Sequence, residues 1–117
     1  MSRKRPALRS TPPLPGTKVR GSATGRPIMA ALDLFGRRWS LRILWELRAR
    51  PLTFRELQDA CGDISPAVLN TRLAELRESG IVKLEDGYTL TEDGNSLITA
   101  LLPLHHWAEK WAARVKR

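Results

Sequence analysis

The sequence predicts a mainly α-helical domain carrying one small β-hairpin, and three observations lead there. Apolar residues recur at i, i+3, i+4 spacing in several stretches, each opened by a proline or a capping hydroxyl. One stretch, residues 81–90, breaks that period and turns at Asp86-Gly87. The chain has 117 residues and 42% hydrophobic content, enough for one ordinary domain plus a tail.

The tail is the N-terminus. The formal net charge is +8, yet residues 1–26 hold Arg3, Lys4, Arg5, Arg9, Lys18, Arg20 and Arg26 and no acid, so the remainder is close to neutral. Pro6, Pro12, Pro13, Pro15 and Gly16 prevent an amphipathic targeting helix, and no apolar run follows the basic residues as in a secretory signal. Residues 1–25 are therefore expected to be a disordered basic arm, serving either solubility or phosphate contact, and residues 26–117 the folded domain. A single cysteine, Cys61, excludes an intramolecular disulfide and suits a reducing cytoplasm; no segment is apolar enough to span a membrane.

The first helix is predicted over Pro27–Phe35, with proline at its first position, Gly36 closing it, and Ile28, Ala31, Leu32 and Phe35 on one stripe. After Arg37-Arg38-Trp39-Ser40, a second helix over about Leu41 to Arg50 is apolar on too many sides for a surface stripe, which makes it the buried centre. Trp39 and Trp45 are read as core or interface anchors. Arg37 and Arg38, at the mouth of this helix, are either phosphate contacts or solvated. Thr53-Phe54-Arg55-Glu56 has capping-box spacing and starts a third helix that runs to Cys61, itself read as a small packed hydrophobe.

A tight turn at Gly62-Asp63 leads to the fourth helix. Ser65 is its N-cap, Pro66 its first residue and Gly80 its left-handed stop. Leu69, Leu73 and Leu76 share its inner face, leaving Ala67, Thr71, Ala74 and Glu78 outside with Asn70 and Arg77 on one flank and Arg72 on the other. Two short helices joined this way, the second with a small, polar leading face, form a helix-turn-helix able to lie in a major groove. The hairpin over residues 81–90 follows, with an acidic two-residue turn and Lys83 as its only cation, in the position of a wing. Thr91 caps a last helical segment, in which Leu97, Ile98, Leu101, Leu102, Leu104, Trp107, Ala108 and Trp111 recur around Pro103; a kink or two abutting helices are expected.

Together these residues resemble the HxlR-type winged helix-turn-helix regulators, a branch of the MarR-like group, over roughly Arg26 to Trp111. The resemblance rests on Leu32-Asp33-Leu34-Phe35-Gly36-Arg37-Arg38-Trp39 combined with Ile64-Ser65-Pro66-Ala67-Val68-Leu69, supported by Phe54-Arg55-Glu56-Leu57 and Leu90-Thr91-Glu92-Asp93-Gly94. It implies a dimeric transcription regulator on operator DNA. Two features depart from the family pattern: Arg26 stands where many members carry a cysteine before the first helix, and the wing is shorter and less basic.

The expected function is a sequence-specific, double-stranded DNA-binding regulator, a repressor, that binds a pseudo-palindromic operator as a homodimer. The DNA-binding set is Ser65, Ala67, Asn70, Thr71, Arg72, Arg77 and Lys83, with Arg37 and Arg38. Ile28, Leu32, Leu101, Leu104, Trp107 and Trp111 form the expected dimer interface, against the alternative that the last segment packs within its own chain. A small-molecule effector is a further expected class of partner, in a pocket between the dimerisation helices and the DNA-binding body. No nucleophile with a base, phosphate loop or ligand set points to catalysis, a cofactor or a metal, and the adjacent His105 and His106 face different sides of a helix. The rival reading is a winged-helix protein-interaction module whose DNA binding is non-specific and confined to the basic arm; RNA binding through that arm is the weaker third.

Overall fold

The computed structural model describes residues 26–116 and the single position 15; the expected arm over residues 1–25 otherwise lies outside the described residues. Helix α1 spans Pro27–Phe35, as its opening proline predicts. Its buried residues are Ala30 and Leu34, while Ile28 and Leu32 of the expected stripe stand 59% and 58% exposed. The helix is apolar almost all round, and its letters alone could not choose the face. Gly36 ends α1 in a right-handed conformation; the left-handed residue is Trp39, at φ 80°. That conformation costs a non-glycine about 1–2 kcal/mol, and the part-buried indole packed against the core holds it in place.

Helix α2 covers Ser40–Glu46, shorter than the expected 41–50. Its end tightens: the Leu47 amide donates to both Ile43 and Leu44 carbonyls and the Arg48 amide to Trp45. The expected central role fits, since Ile43, Leu44 and Leu47 are buried, although Leu41 faces out. Helix α3 spans Phe54–Cys61 with both halves of the capping box made, Glu56 N–H to Thr53 Oγ1 at 3.1 Å and Thr53 N–H to Glu56 Oε1 at 2.9 Å.

Helix α4 spans Pro66–Glu78, and the Val68 amide donates to the Ser65 hydroxyl at 3.2 Å. At its other end Gly80, at φ 82°, donates to the Arg77 carbonyl while the Ile81 amide reaches Leu76 at 2.9 Å. This paired closure satisfies the Leu76 and Arg77 carbonyls where the chain turns into the hairpin. Strands β1 (Val82–Leu84) and β2 (Tyr88–Leu90) pair antiparallel, with Val82 opposite Leu90 and Leu84 opposite Tyr88. That register leaves residues 85–87 as the connection, one residue longer than expected, with Asp86 and Gly87 both at positive φ. Leu52 adds a rudimentary third strand: its amide and carbonyl exchange hydrogen bonds with Tyr88 at 3.0 and 2.7 Å.

Helix α5 runs unbroken over Glu92–Val115, through Pro103, so two abutting helices are not formed. Its first turn is fastened to the body. The Thr91 hydroxyl accepts from the Gly94 amide and donates to the Gly80 carbonyl at 2.6 Å, and a Cβ at residue 94 would collide with the Ile81 carbonyl and crowd Leu90. Side chains from α2, α3, α4 and the hairpin meet in one core, where Ile43, Leu44, Leu57, Leu69, Leu73 and Leu76 are fully buried. No helix of the described residues is long and apolar enough to cross a membrane.

Candidate nucleic-acid interface

The helix-turn-helix consists of α3, a turn in which Gly62 takes φ 82°, and α4. Burial of Leu69, Leu73 and Leu76 fixes which side of α4 faces out. On that side Ala67, Asn70, Ala74, Arg77 and Glu78 are exposed and Thr71 is half-buried. The profile expected for close approach to base edges is therefore presented outward, small near the N-terminus and polar beyond it. Ser65 is exposed as well. Its oxygen is committed to the cap, which leaves its hydroxyl proton to donate outward.

The hairpin flanks this helix. A groove of about 550 Å³ separates them, lined by Ala74, Arg77, Glu78, Val82, Lys83 and Leu84. Lys83 is exposed, but its ammonium lies 3.4 Å from the Glu85 carboxylate, which offsets the only wing cation. Arg38 is exposed with its guanidinium 5.5 Å from the Trp39 ring centre.

Two of the expected DNA-binding arginines are placed differently. Arg37 donates from Nη1 to Glu75 Oε2 at 2.9 Å and from Nη2 to Asp33 at 3.3 Å. Arg72 donates to the same Glu75 carboxylate at 3.2 and 3.3 Å and, through Nε, to the Arg38 carbonyl at 2.8 Å. Both guanidiniums are turned onto Glu75, whose side chain is only 1% exposed, and a carboxylate so buried requires such partners. Sequence reasoning missed Glu75. Its one local signal was Arg72, three residues earlier on the same helix; Arg37 comes from a distant part of the chain.

Of the expected interface residues, Ile28, Leu32, Leu104, Trp107 and Trp111 are exposed, and the last two stack in parallel with ring centres 5.6 Å apart. Leu101 differs, being half-buried in a largely apolar groove of about 300 Å³ between α2 and α5 that Leu41, Trp45, Leu104 and His105 also line. His105 lies against Trp45, ring centres 5.1 Å apart, and Arg48 sits over the same indole at 4.0 Å. Cys61 is buried, and burial pushes its thiol pKa up.

Residues 34–116 match the HxlR-like helix-turn-helix family. The HTH-type transcriptional regulator YodB of Bacillus subtilis is 31% identical over 90 residues, which span 70% of this chain and 80% of that protein. YvaP of the same organism, described as an HTH-type transcriptional regulator, is 32% identical over 89 residues, 69% of this chain and 82% of its own. The crystal structure of quinone-bound YodB superposes with a TM-score of 0.67 at 33% identity, covering 71% of this chain and 96% of that one. A MarR-family regulator from Enterococcus faecalis V583 gives a TM-score of 0.69 at 30% identity over 86% and 99% of the two chains. With the match running through α2, α3, α4, the hairpin and α5, the chain belongs to the HxlR-like helix-turn-helix family and is a DNA-binding transcription regulator, not an enzyme.

Proposed function

We propose that the protein is a homodimeric repressor that reads a pseudo-palindromic operator by laying α4 of each copy in the major groove. The observation that carries this reading is the division of α4 itself: Leu69, Leu73 and Leu76 sealed in the core, Ala67, Asn70 and Thr71 turned outward in its first turns. The Asn70 amide suits the paired donor and acceptor of an adenine edge, and Ala67 with the Thr71 methyl suits a thymine methyl. Ser65, Arg38, Arg77 and Lys83 supply backbone contacts, and the cations of residues 1–25 add sequence-independent neutralisation. Arg37 and Arg72 are left out of this set because their guanidiniums are occupied. The dimer face combines Ile28 and Leu32 of α1 with Leu104, Trp107 and Trp111 of α5, and Leu101 supports it from beneath. Two-fold symmetry then presents half-sites about 34–36 Å apart, one turn of DNA. Residues 26–117 act as one winged helix-turn-helix domain in this reading.

Selection of bound fragments from random duplex DNA tests it, and a palindromic site is the expected product. Asn70→Ala should then weaken binding to that site by roughly 1–3 kcal/mol while leaving random-duplex affinity and helix content unchanged. Equal loss on both duplexes would remove Asn70 from base reading.

A small-molecule effector fits the apolar groove between α2 and α5. YodB has been crystallised with quinone bound. In this chain Arg26 precedes α1 and Cys61 is buried, so an effector would bind without a thiol adduct. A second reading, a protein-contact module with only non-specific DNA binding through the arm, is favoured by one observation, the Lys83–Glu85 pair on an acidic hairpin. Titration at two salt concentrations separates the readings. A regulator keeps one preferred site at high salt, whereas arm-driven binding loses all sites together.

A further inference from the structure

The Arg37–Glu75–Arg72 cluster is more elaborate than stability requires. Replacing a buried ion pair by well-packed apolar residues is often neutral or stabilising, so burial of Glu75 calls for another explanation. We propose that Glu75 is a positioning residue for DNA reading, a buried counter-ion that keeps the Arg37 and Arg72 guanidiniums off the duplex backbone and fixes α4 against the α1–α2 corner. The proposal rests on the reading of α4 as the DNA-reading helix.

The geometry carries both halves. Arg72 directly follows Thr71 on α4. Its guanidinium is held at two edges, by Glu75 through Nη1 and by the Arg38 carbonyl through Nε. Arg37 is held in the same way between Glu75 and Asp33. Two carboxylates thus balance two guanidiniums, and the cluster adds no net charge beside the outer face of α4. The bonds are directional, unlike the leucine contacts on the neighbouring side of the helix, so they resist rolling of α4 about its axis. On a helix 10–12 Å across, a roll of about 20° carries a side-chain tip about 2 Å. A base-edge hydrogen bond does not survive that displacement.

Two full-length variants test the proposal against the fragment that the wild-type chain selects from random DNA and against a random duplex of equal length. Arg72→Gln should lower the ratio of selected-site to random affinity at least about tenfold while leaving the salt slope of random binding unchanged, because Arg72 meets no phosphate in the wild type. Glu75→Gln should lower the same ratio and steepen the slope by about 0.9, since Arg72 is released to the backbone while Asp33 retains Arg37. If Glu75→Gln loses its fold by circular dichroism, Arg72→Gln decides alone. A slope shallower by about 0.9 in Arg72→Gln with the ratio preserved overturns the proposal by making Arg72 a phosphate contact. A wild-type chain that selects no sequence overturns the operator reading as well; a selected site with an unchanged ratio in both variants overturns only the role of Glu75.

Discussion

Helices α4 and α5 are both amphipathic in sequence, yet the chain completes one and leaves the other open. α4 buries Leu69, Leu73, Glu75 and Leu76 within 13 residues. α5 buries only Gly94 in 24 residues; Leu97 and Ile98 pack on the core and Leu101 and His105 are half-buried beside α2, but Leu102, Leu104, Trp107, Trp111 and Val115 face outward. In the function proposed above, the difference separates two tasks. A helix that reads base edges must sit in one orientation before DNA arrives, so its own chain supplies the fixing contacts. A helix that joins two copies keeps its apolar surface for the second copy.

The comparison breaks if substitutions on the two helices act alike. Leu73→Ala should cost most, about 2–5 kcal/mol in urea denaturation, because it opens a cavity at a fully buried position of the core. A loss under about 1 kcal/mol would mean that α4 is not held by the core. Trp107→Glu should leave the helical circular dichroism intact and weaken self-association at least about tenfold in sedimentation. An unchanged mass at the same concentration would place the association surface elsewhere. Ser65→Ala should cost about 1 kcal/mol, since one exposed cap bond is lost at the start of α4. The smallest effect concerns the cap of α3. The Thr53 amide, helped by Arg50, holds the Glu56 carboxyl below its ordinary value. A carboxyl lowered in this way lends stability above the ordinary carboxylate range and loses it as pH falls through the lowered value. The wild type should therefore outlast Glu56→Gln at neutral pH and converge with it in acid. A gap that widens in acid would reverse the sign.

Capping made most of the fold legible. Pro27, Thr53, Ser65 and Thr91 each announce a helix within three or four residues, and each helix starts there. What escaped was non-local or ambiguous in its letters. Leu52 pairs with Tyr88 through backbone groups that every residue carries, so no side chain advertises the bridge. Trp39 takes a conformation that sequence reasoning assigns to glycine, and only the packed core around it supports that choice. The outer face of α4 was readable because three leucines fix the inner one. Glu75 was not, since a glutamate on a charged helix looks solvated until Arg37 arrives from another element.

Gly94 bears on a matter of length. At 1.5 Å per residue the 24 residues of α5 extend about 36 Å, so a tilt of about 5° at the first turn displaces the far end by about 3 Å. Where a side chain would wedge α5 away from Ile81 and Leu90, a hydrogen atom sets its bearing. In a pair of copies joined through α5, that bearing fixes the distance between the two reading helices. In the proposed dimer, base reading would belong to α4, and the number of base pairs between half-sites to a single glycine outside that helix.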